Sequence, residues 1–211
     1  MPAQRIHLVR HGEVNNPGGV LYGRLPNFHL SDNGKKMAEL AAKELQKQGF
    51  PITAIYTSPL IRTQESAKPI EQLFGLDAKT NEDLIEPWNV FEGRKLSFSN
   101  VVARPHWWWR FRNPARPSWG EPFRDIISRM EEAINMAKNS VGSGDVVLVT
   151  HQLPIWVMHL HLAGEKLMHD PRKRRCALSS ITSFEVSQGT LKEVSYLDPA
   201  ASLNGKDGGA V

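Results

Sequence analysis

The feature that most constrains this chain is a short apolar run, Ile6 to Val9, that leads directly into Arg10-His11-Gly12. Its apolar side chains predict a buried strand. In an open α/β sheet, ligands bind beyond the carboxyl ends of the strands. An arginine there supplies rigid donors for phosphate, and a histidine supplies a nitrogen that can attack or donate. An isolated Arg-His pair at the end of a strand more often has no function. The interpretation of this pair as a phosphate-binding site therefore depends on the rest of the chain.

The apolar spacing along the chain predicts alternating strands and helices, followed by a hairpin. We expect strands at 6–9, 53–57, 78–81, 146–149, 180–186 and 191–196, and helices at 34–48, 59–74, 122–139 and 154–163. This order is typical of an α/β fold, here a three-layer α/β/α sandwich around a mainly parallel sheet. The strands that end at Arg10 and Thr150 should be neighbours, which would place His11 and His151 on one pocket wall.

Length, charge and cysteine content narrow the class of protein. With 211 residues the chain fits a single domain, which we expect at 1–199, followed by a flexible tail at 200–211. The net charge of +4 is mild and is better explained by a phosphate pocket than by a nucleic-acid surface. The single cysteine, Cys176, excludes an intramolecular disulfide. Since no apolar run is long enough to cross a membrane and the first strand leaves no room for a signal peptide, we expect a cytoplasmic protein.

Two segments after the second strand supply a cation and an acid. A proline begins the next helix, and Arg62 in the first turn can point back toward the strand ends. Among the carboxylates between 82 and 92, Glu86 is favoured as the chemical group, because the apolar pair before it can anchor it and Pro87 extends its backbone. Glu92 is the alternative.

Three other features leave alternatives open. The segment 104–123 mixes tryptophan and arginine with proline, which can bind single-stranded nucleic acid by stacking. We favour a cap over a small-molecule pocket, or packing on the sheet edge. The basic run Arg172–Arg175 predicts a solvated loop, or one that meets an acidic ligand at the pocket rim. His159 and His161 point in different directions on a helix, so we expect no metal site there.

The segment Leu8-Val9-Arg10-His11-Gly12-Glu13 resembles the signature of the histidine phosphatase superfamily, in its phosphoglycerate mutase-like branch. Further motifs follow in the family's order: Tyr22-Gly23-Arg24, Leu30-Ser31-Asp32-Asn33-Gly34, Thr57-Ser58-Pro59-Leu60-Ile61-Arg62-Thr63, Leu84-Ile85-Glu86 with Phe91-Glu92-Gly93, Trp119-Gly120-Glu121 and Val147-Leu148-Val149-Thr150-His151. Two elements, Leu-Tyr-Gly-Arg-Leu-Pro and His-Gln-Leu-Pro, are similar to those of an uncharacterised actinobacterial subgroup, which identifies no substrate. The resemblance implies a phosphoglycerate mutase-like fold with its variable cap or lid at 104–123.

The resemblance also implies a phosphohistidine mechanism. His11 would attack phosphorus, and Glu86 would protonate the leaving oxygen and then activate water. Arg10, Arg62 and His151 would hold the non-bridging oxygens. The residue types suit these roles, because two nearby arginines disfavour the imidazolium form of His11 and keep it able to attack.

A further set of residues is expected to contact the substrate. These residues are Asn16, Tyr22, Gly23, Arg24 and Gln152. For Asn16, a role in the turn alone is the alternative. Gln152 stands where the family usually has glycine. A close approach of the backbone to the ligand, which a glycine allows, is therefore in doubt at that position.

The activity implied is that of a metal-independent phosphomonoester hydrolase that acts on a small phosphorylated metabolite without a cofactor. A phosphoglycerate mutase-type phosphotransferase is the alternative, disfavoured because the chain is short for that enzyme's extra loops. A non-catalytic phospholigand-binding protein is a third alternative. The presence of two histidines, two arginines and an acid argues against it. We expect neither nucleic acid nor membrane as a partner. The oligomeric state stays open, with a homodimer as one alternative.

Overall fold

The computed structural model describes residues 2–95, 119–187, 189–203 and 205. The elements of this part of the chain are, in order, β1 (Arg5–Arg10), α1 (Asp32–Lys47), β2 (Ile52–Thr57), α2 (Ile61–Phe74), β3 (Ala78–Thr80), a 3-10 helix (Glu82–Leu84), α3 (Phe123–Asn139), β4 (Asp145–Thr150), α4 (Gln152–Leu162), a second 3-10 helix (Pro171–Lys173), β5 (Ile181–Ser187) and β6 (Thr190–Leu197). Every predicted strand and helix is present. The starts of α1, α2 and α4 each differ by two residues from those predicted, and α2 runs through Pro69 without interruption.

The strands form one six-stranded sheet in the order β3-β2-β4-β1-β5-β6. The first four strands run parallel to one another, through the pairs β3–β2, β2–β4 and β4–β1. β5 runs antiparallel to β1 and to β6. In the register of β1 and β4, Arg10 lies opposite Thr150. The two strands predicted to be neighbours are therefore adjacent, and both end at the same edge of the sheet.

Helices cover both faces of this sheet, which confirms the three-layer α/β fold. On one face, Leu8 of β1 and Leu148 of β4 belong to a core cluster with side chains of α3 and α4, namely Ile126, Met130 and Met158. On the other face, Val9 of β1 and two β4 valines, Val147 and Val149, cluster with Leu45 of α1 and Ile70 of α2. Successive side chains of a strand alternate between the faces. The run at 146–149 is apolar throughout because both of its faces are buried.

Two of the sequence-based expectations fall partly or wholly outside the described residues. Most of the expected cap, 104–118, lies outside them, as do 204 and 206–211 of the expected tail. The tail was expected to begin at Ala200, but Ala200 is buried and packs with Met37 and Leu178, and Leu203 lies against the same cluster. Apolar contact thus still holds the chain at that point. Within the described residues, each helix is too short or too polar to span a lipid bilayer.

Candidate active site

The adjacent ends of β1 and β4 bring two histidines together. The backbone N–H of His11 donates to the carbonyl oxygen of Thr150 at 3.1 Å, which continues the pairing of the two strands by one step. The rings of His11 and His151 lie edge to face with their centroids 5.2 Å apart. Both residues are fully buried. The two histidines thus share one pocket wall, as expected from the strand order.

The ring of His11 is held with one nitrogen available for chemistry. Its Nδ1 lies 2.8 Å from the carbonyl oxygen of Gly12, which can only accept, so Nδ1 carries the proton. Nε2 is buried and makes no hydrogen bond to the described residues. Burial, and then the charges of Arg62 and Arg10, lower the pKa of His11 well below its ordinary value. The ring is therefore neutral at physiological pH, and its Nε2 is unprotonated.

Two glycines fix the backbone beside this histidine. A Cβ added at Gly12 would lie 2.4 Å from the carbonyl oxygen of Gly34, and one added at Gly34 would lie 2.0 Å from that of Glu13. Neither position can carry a side chain without moving the backbone.

The Glu13 carboxylate accepts from the Ser31 hydroxyl at 2.6 Å and from the Asn33 amide at 3.3 Å. Glu13 therefore stabilises the start of α1.

The two predicted arginines are buried on either side of the histidines. Arg10 Nη1 donates to the carbonyl oxygen of Cys176 at 2.6 Å. Arg62 Nη2 donates to the carbonyl oxygen of Gly23 at 2.7 Å and lies 3.3 Å from His151 Nδ1. The guanidinium of Arg62 also lies over the ring of Tyr22, 4.8 Å from its centroid. Two guanidinium groups are thus fixed around His11.

Glu86 places a buried carboxyl group beside His151. Its Oε2 lies 3.4 Å from His151 Nδ1, and neither carboxyl oxygen makes a hydrogen bond to the described residues. Burial raises the pKa of Glu86 to about 7, although Arg62 and Arg10 oppose the rise. A substantial fraction of Glu86 is therefore protonated near neutral pH. The segment is held from both sides, by Thr150 Oγ1 donating to the Leu84 carbonyl and by the side chain of Arg24 donating to the Glu86 carbonyl, both at 2.6 Å.

Glu92, the alternative acid, has a different environment. Its Oε1 accepts from the backbone N–H groups of Asn89 and Arg24, each at 3.1 Å. A Cβ at Gly23, where φ is +39°, would collide with this carboxylate. Glu92 therefore fixes the turn at Gly23, whose carbonyl holds Arg62. The geometry favours Glu86 as the acid.

Ser58 is a site residue to which the sequence analysis gave no role. Its Oγ lies 2.9 Å from His151 Nε2. Burial, and then the charge of Arg62, lower the pKa of His151 well below its ordinary value. Because a hydroxyl both donates and accepts, Ser58 can serve either neutral tautomer of His151. The available signal was its place directly after β2, at the same sheet edge as the two histidines.

A partly buried ion network behind Glu86 was also missed. Glu121 accepts from Arg24 Nη2 at 3.0 Å and from Arg129 Nε at 2.7 Å, and Arg129 also donates to the carbonyl oxygen of Asp83. This network joins α3 to the acid-bearing segment. Arg24, predicted to contact the substrate, thus holds the backbone of Glu86 in place.

The remaining predicted substrate contacts lie in different places. Tyr22 and Gly23 support Arg62, as described above. Both ends of the Asn16 amide bond to the backbone of Val20, Nδ2 to the carbonyl oxygen at 2.8 Å and Oδ1 to the N–H at 3.3 Å. Asn16 therefore stabilises its own loop. Gln152 lies next to the site and contacts Arg174 and the carbonyl oxygen of Cys176.

The charge of the pocket indicates which ligand it fits. Among the described residues, ligand atoms of His11, Glu86 and His151 lie within 4.8 Å of one another, as a metal site would require. The buried guanidinium groups of Arg10 and Arg62 surround the same space, and they repel a divalent cation. The same charges attract a phosphoryl dianion, for which arginine provides well-matched donors.

Comparison with known proteins places these residues in context. A sequence profile of the histidine phosphatase superfamily (branch 1) matches residues 6–199. An uncharacterised protein of Mycobacterium tuberculosis is 47% identical over 203 residues, covering 95% of this chain and all of that protein. A 2,3-bisphosphoglycerate-dependent phosphoglycerate mutase of Thermoplasma acidophilum is 33% identical over 151 residues, 70% of each chain. The crystal structure of a phosphoserine phosphatase mutant from Entamoeba histolytica, in complex with phosphoserine, superposes with a TM-score of 0.73 at 21% identity, covering 94% of this chain and 98% of that one.

Proposed function

The chain belongs to the histidine phosphatase superfamily, and on that premise we propose that it is a metal-independent hydrolase of small phosphomonoesters that acts through a phosphohistidine. The observation that carries the proposal is that His11, whose Nε2 is available, and Glu86, whose pKa burial raises to about 7, lie in one buried pocket lined by two arginines. A nucleophile and a proton donor are what cleavage of a phosphate ester needs.

In the first step, the lone pair of His11 Nε2 attacks phosphorus. The N–P bond forms as the P–O bond of the ester breaks, and Glu86 transfers its proton to the departing alkoxide. The entering phosphate dianion disfavours the carboxylate form of Glu86, because like charges raise a carboxyl pKa. Substrate binding therefore favours the proton donor that the step requires.

In the second step, the Glu86 carboxylate takes a proton from water as the water oxygen attacks phosphorus. The N–P bond breaks, and its electron pair returns to Nε2 of His11. In both steps Arg10 and Arg62 donate to the non-bridging oxygens, where their fixed charges stabilise the transition state. When Ser58 donates to Nε2 of His151, the neutral ring carries its proton on Nδ1 and can donate it to the same oxygens.

Phosphoryl transfer to a second alcohol is the alternative reaction in the same pocket. The 33% identity to a phosphoglycerate mutase favours its consideration. The two reactions differ only in whether water or an alcohol accepts the phosphoryl group. Release of inorganic phosphate without transfer of the phosphoryl group to an added alcohol would support the hydrolase.

The proposal is tested by measuring phosphate release from a panel of phosphorylated metabolites in the presence of a chelator. We expect turnover, and a radiolabelled ester should leave an acid-labile, alkali-stable label on the protein. His11→Ala should abolish both. The control is His161→Ala, since His161 is an exposed histidine paired with Glu131 on the surface, and this variant should retain both. Activity that disappears on chelation and returns with a divalent metal would refute the proposed mechanism.

A further inference from the structure

The loop before β5 carries three arginines in different surroundings. Arg172 is exposed and forms a bidentate pair with Asp170, with Nε–Oδ1 and Nη2–Oδ2 distances of 3.0 and 2.7 Å. Arg175 pairs with Glu193. Arg174, between them, is partly buried and turns toward the active site. The three side chains therefore have separate roles, although they are neighbours in the sequence.

Two uncharged acceptors orient Arg174. Its Nη1 donates to Oε1 of Gln152 at 3.1 Å, and its Nε donates to Nε2 of His169 at 2.9 Å. Nδ1 of His169 donates to the carbonyl oxygen of Leu167 at 2.7 Å, so Nε2 is the accepting nitrogen. Burial lowers the pKa of His169, and the charge of Arg174 acts in the same direction. The neutral ring and the amide together fix the direction of the guanidinium.

Gln152 connects this guanidinium to the phosphate site. The residue directly follows His151 at the start of α4. Its Nε2 donates to the carbonyl oxygen of Cys176 at 3.4 Å, and the same oxygen accepts from Arg10 Nη1 at 2.6 Å. Arg174 is therefore held by a side chain that shares a hydrogen-bond acceptor with an arginine of the active site.

The charge of Arg174 reaches the acid. It lowers the pKa of Glu86, as Arg62 and Arg10 do more strongly, against the larger effect of burial. In the proposed reaction Glu86 protonates the leaving oxygen. Arg174 is hydrogen-bonded to Gln152, which directly follows His151, and Glu86 Oε2 lies 3.4 Å from His151 Nδ1, so Arg174 lies on the side of the pocket where the leaving group would depart.

We propose that Arg174, oriented by Gln152 and His169, binds a second anionic group, a carboxylate or a second phosphate, on the alcohol portion of the substrate. The inference rests on the proposed function and names its substrate class. The planar guanidinium matches both groups with two parallel hydrogen bonds. A glycine at position 152 could not accept from Arg174, so the residue that departs from the family's usual pattern is one of the two that orient this guanidinium.

The experiment compares two esters that differ in one group. 3-Phosphoglycerate ends in a carboxylate, whereas glycerol 3-phosphate ends in a hydroxymethyl group. A second pair, propane-1,3-diol bisphosphate and the corresponding monophosphate, tests a second phosphate in place of the carboxylate. We expect the wild type to prefer the anionic member of at least one pair. Arg174→Gln should lower that ratio of kcat/KM by about 10- to 100-fold, mainly through KM, since a charge-assisted hydrogen bond is lost.

Arg172→Gln is the matched control, because Arg172 belongs to the same basic run but pairs with Asp170 at the surface. It should leave the ratio unchanged, and Gln152→Ala should lower the ratio less than Arg174→Gln does. If wild type and Arg174→Gln hydrolyse both members of each pair with the same preference, the inference is overturned while the proposed function stands. If no ester releases phosphate, the proposed function fails and the inference fails with it.

Discussion

Replacing Glu86 with glutamine separates the acid from the rest of the site. Glutamine preserves the size of the side chain and leaves His11 intact, but it cannot transfer a proton. The loss in kcat/KM should be about 10²–10⁴-fold for an alkyl phosphate, the usual contribution of a general acid. It should be much smaller for an aryl phosphate, because an aryl leaving oxygen needs little protonation. The dependence on the leaving group is thus the signature of the missing proton.

The same substitution should increase stability at alkaline pH. Burial raises the pKa of Glu86 from 4.5 to about 7, which corresponds to roughly 3 kcal/mol by which the folded protein disfavours the carboxylate. Since the folded state binds the proton more tightly than the unfolded state, the stability of the wild type falls as the pH rises through this range. An amide carries no such charge. Glu86→Gln should therefore be more stable than the wild type by up to roughly 3 kcal/mol at about pH 8.5, and by little at about pH 4.

The assay is urea denaturation at both pH values, with kcat/KM for an alkyl and an aryl phosphate on the same preparations. Glu92→Gln is the control, because an amide oxygen can still accept from the backbone N–H groups of Asn89 and Arg24. It should show neither the pH-dependent gain in stability nor the dependence on the leaving group. The reasoning is refuted if Glu86→Gln is less stable than the wild type at about pH 8.5, or if the leaving-group dependence follows Glu92.

Three further predictions concern pH, the second histidine and the backbone. The kcat/KM for an alkyl phosphate should fall above about pH 7, because Glu86 loses its proton there. On the acid side His11 should stay unprotonated and active, because its pKa is lowered well below 6.5. A pH–rate profile that is flat above neutrality would contradict the first expectation. Ser58→Ala removes the hydrogen-bond partner of His151 Nε2 and should lower kcat/KM by about tenfold. Unchanged steady-state kinetics would show that this contact does not contribute to catalysis. Gly12→Ala places a Cβ 2.4 Å from a backbone oxygen and should lower the free energy of unfolding by about 1–3 kcal/mol. An unchanged midpoint of urea denaturation would argue against this close approach.

The sequence predicted what depends on local pattern and strand order. The apolar runs before Arg10 and after 145 predicted two central parallel strands, and their shared edge predicted that His11 and His151 meet. Helix positions followed from the spacing of apolar residues, and in the structure the side chain of Ser31 caps α1 by accepting from the N–H of Gly34. The positions of the strands and helices are set by residues close together in the chain, whereas the meeting of the two histidines follows from the shared direction and adjacency of their strands.

Pairings between distant segments could not be predicted in this way. The choice between Glu86 and Glu92 depends on which carboxylate meets backbone N–H groups, and one of those N–H groups lies 68 residues away at Arg24. The ion network of Glu121 likewise depends on how α3 packs. Asn16 was an ambiguous candidate because an amide in a loop serves a ligand or its own backbone equally well, and here both of its ends bond to Val20. Such contacts follow from tertiary packing.

The reversed direction of β5 has a consequence for how this fold could vary. Because β5 runs antiparallel to β1, its amino-terminal end lies at the edge where the parallel strands finish. The loop that precedes it, including Arg174 and Cys176, therefore forms a wall of the pocket, whereas the proposed nucleophile and the proposed phosphate-binding side chains lie in α2 and at the ends of β1 and β4. Substitutions in that loop could change which alcohol is accepted without altering the strands that carry the chemistry. Substrate choice and bond cleavage would then be free to evolve on separate segments of the chain.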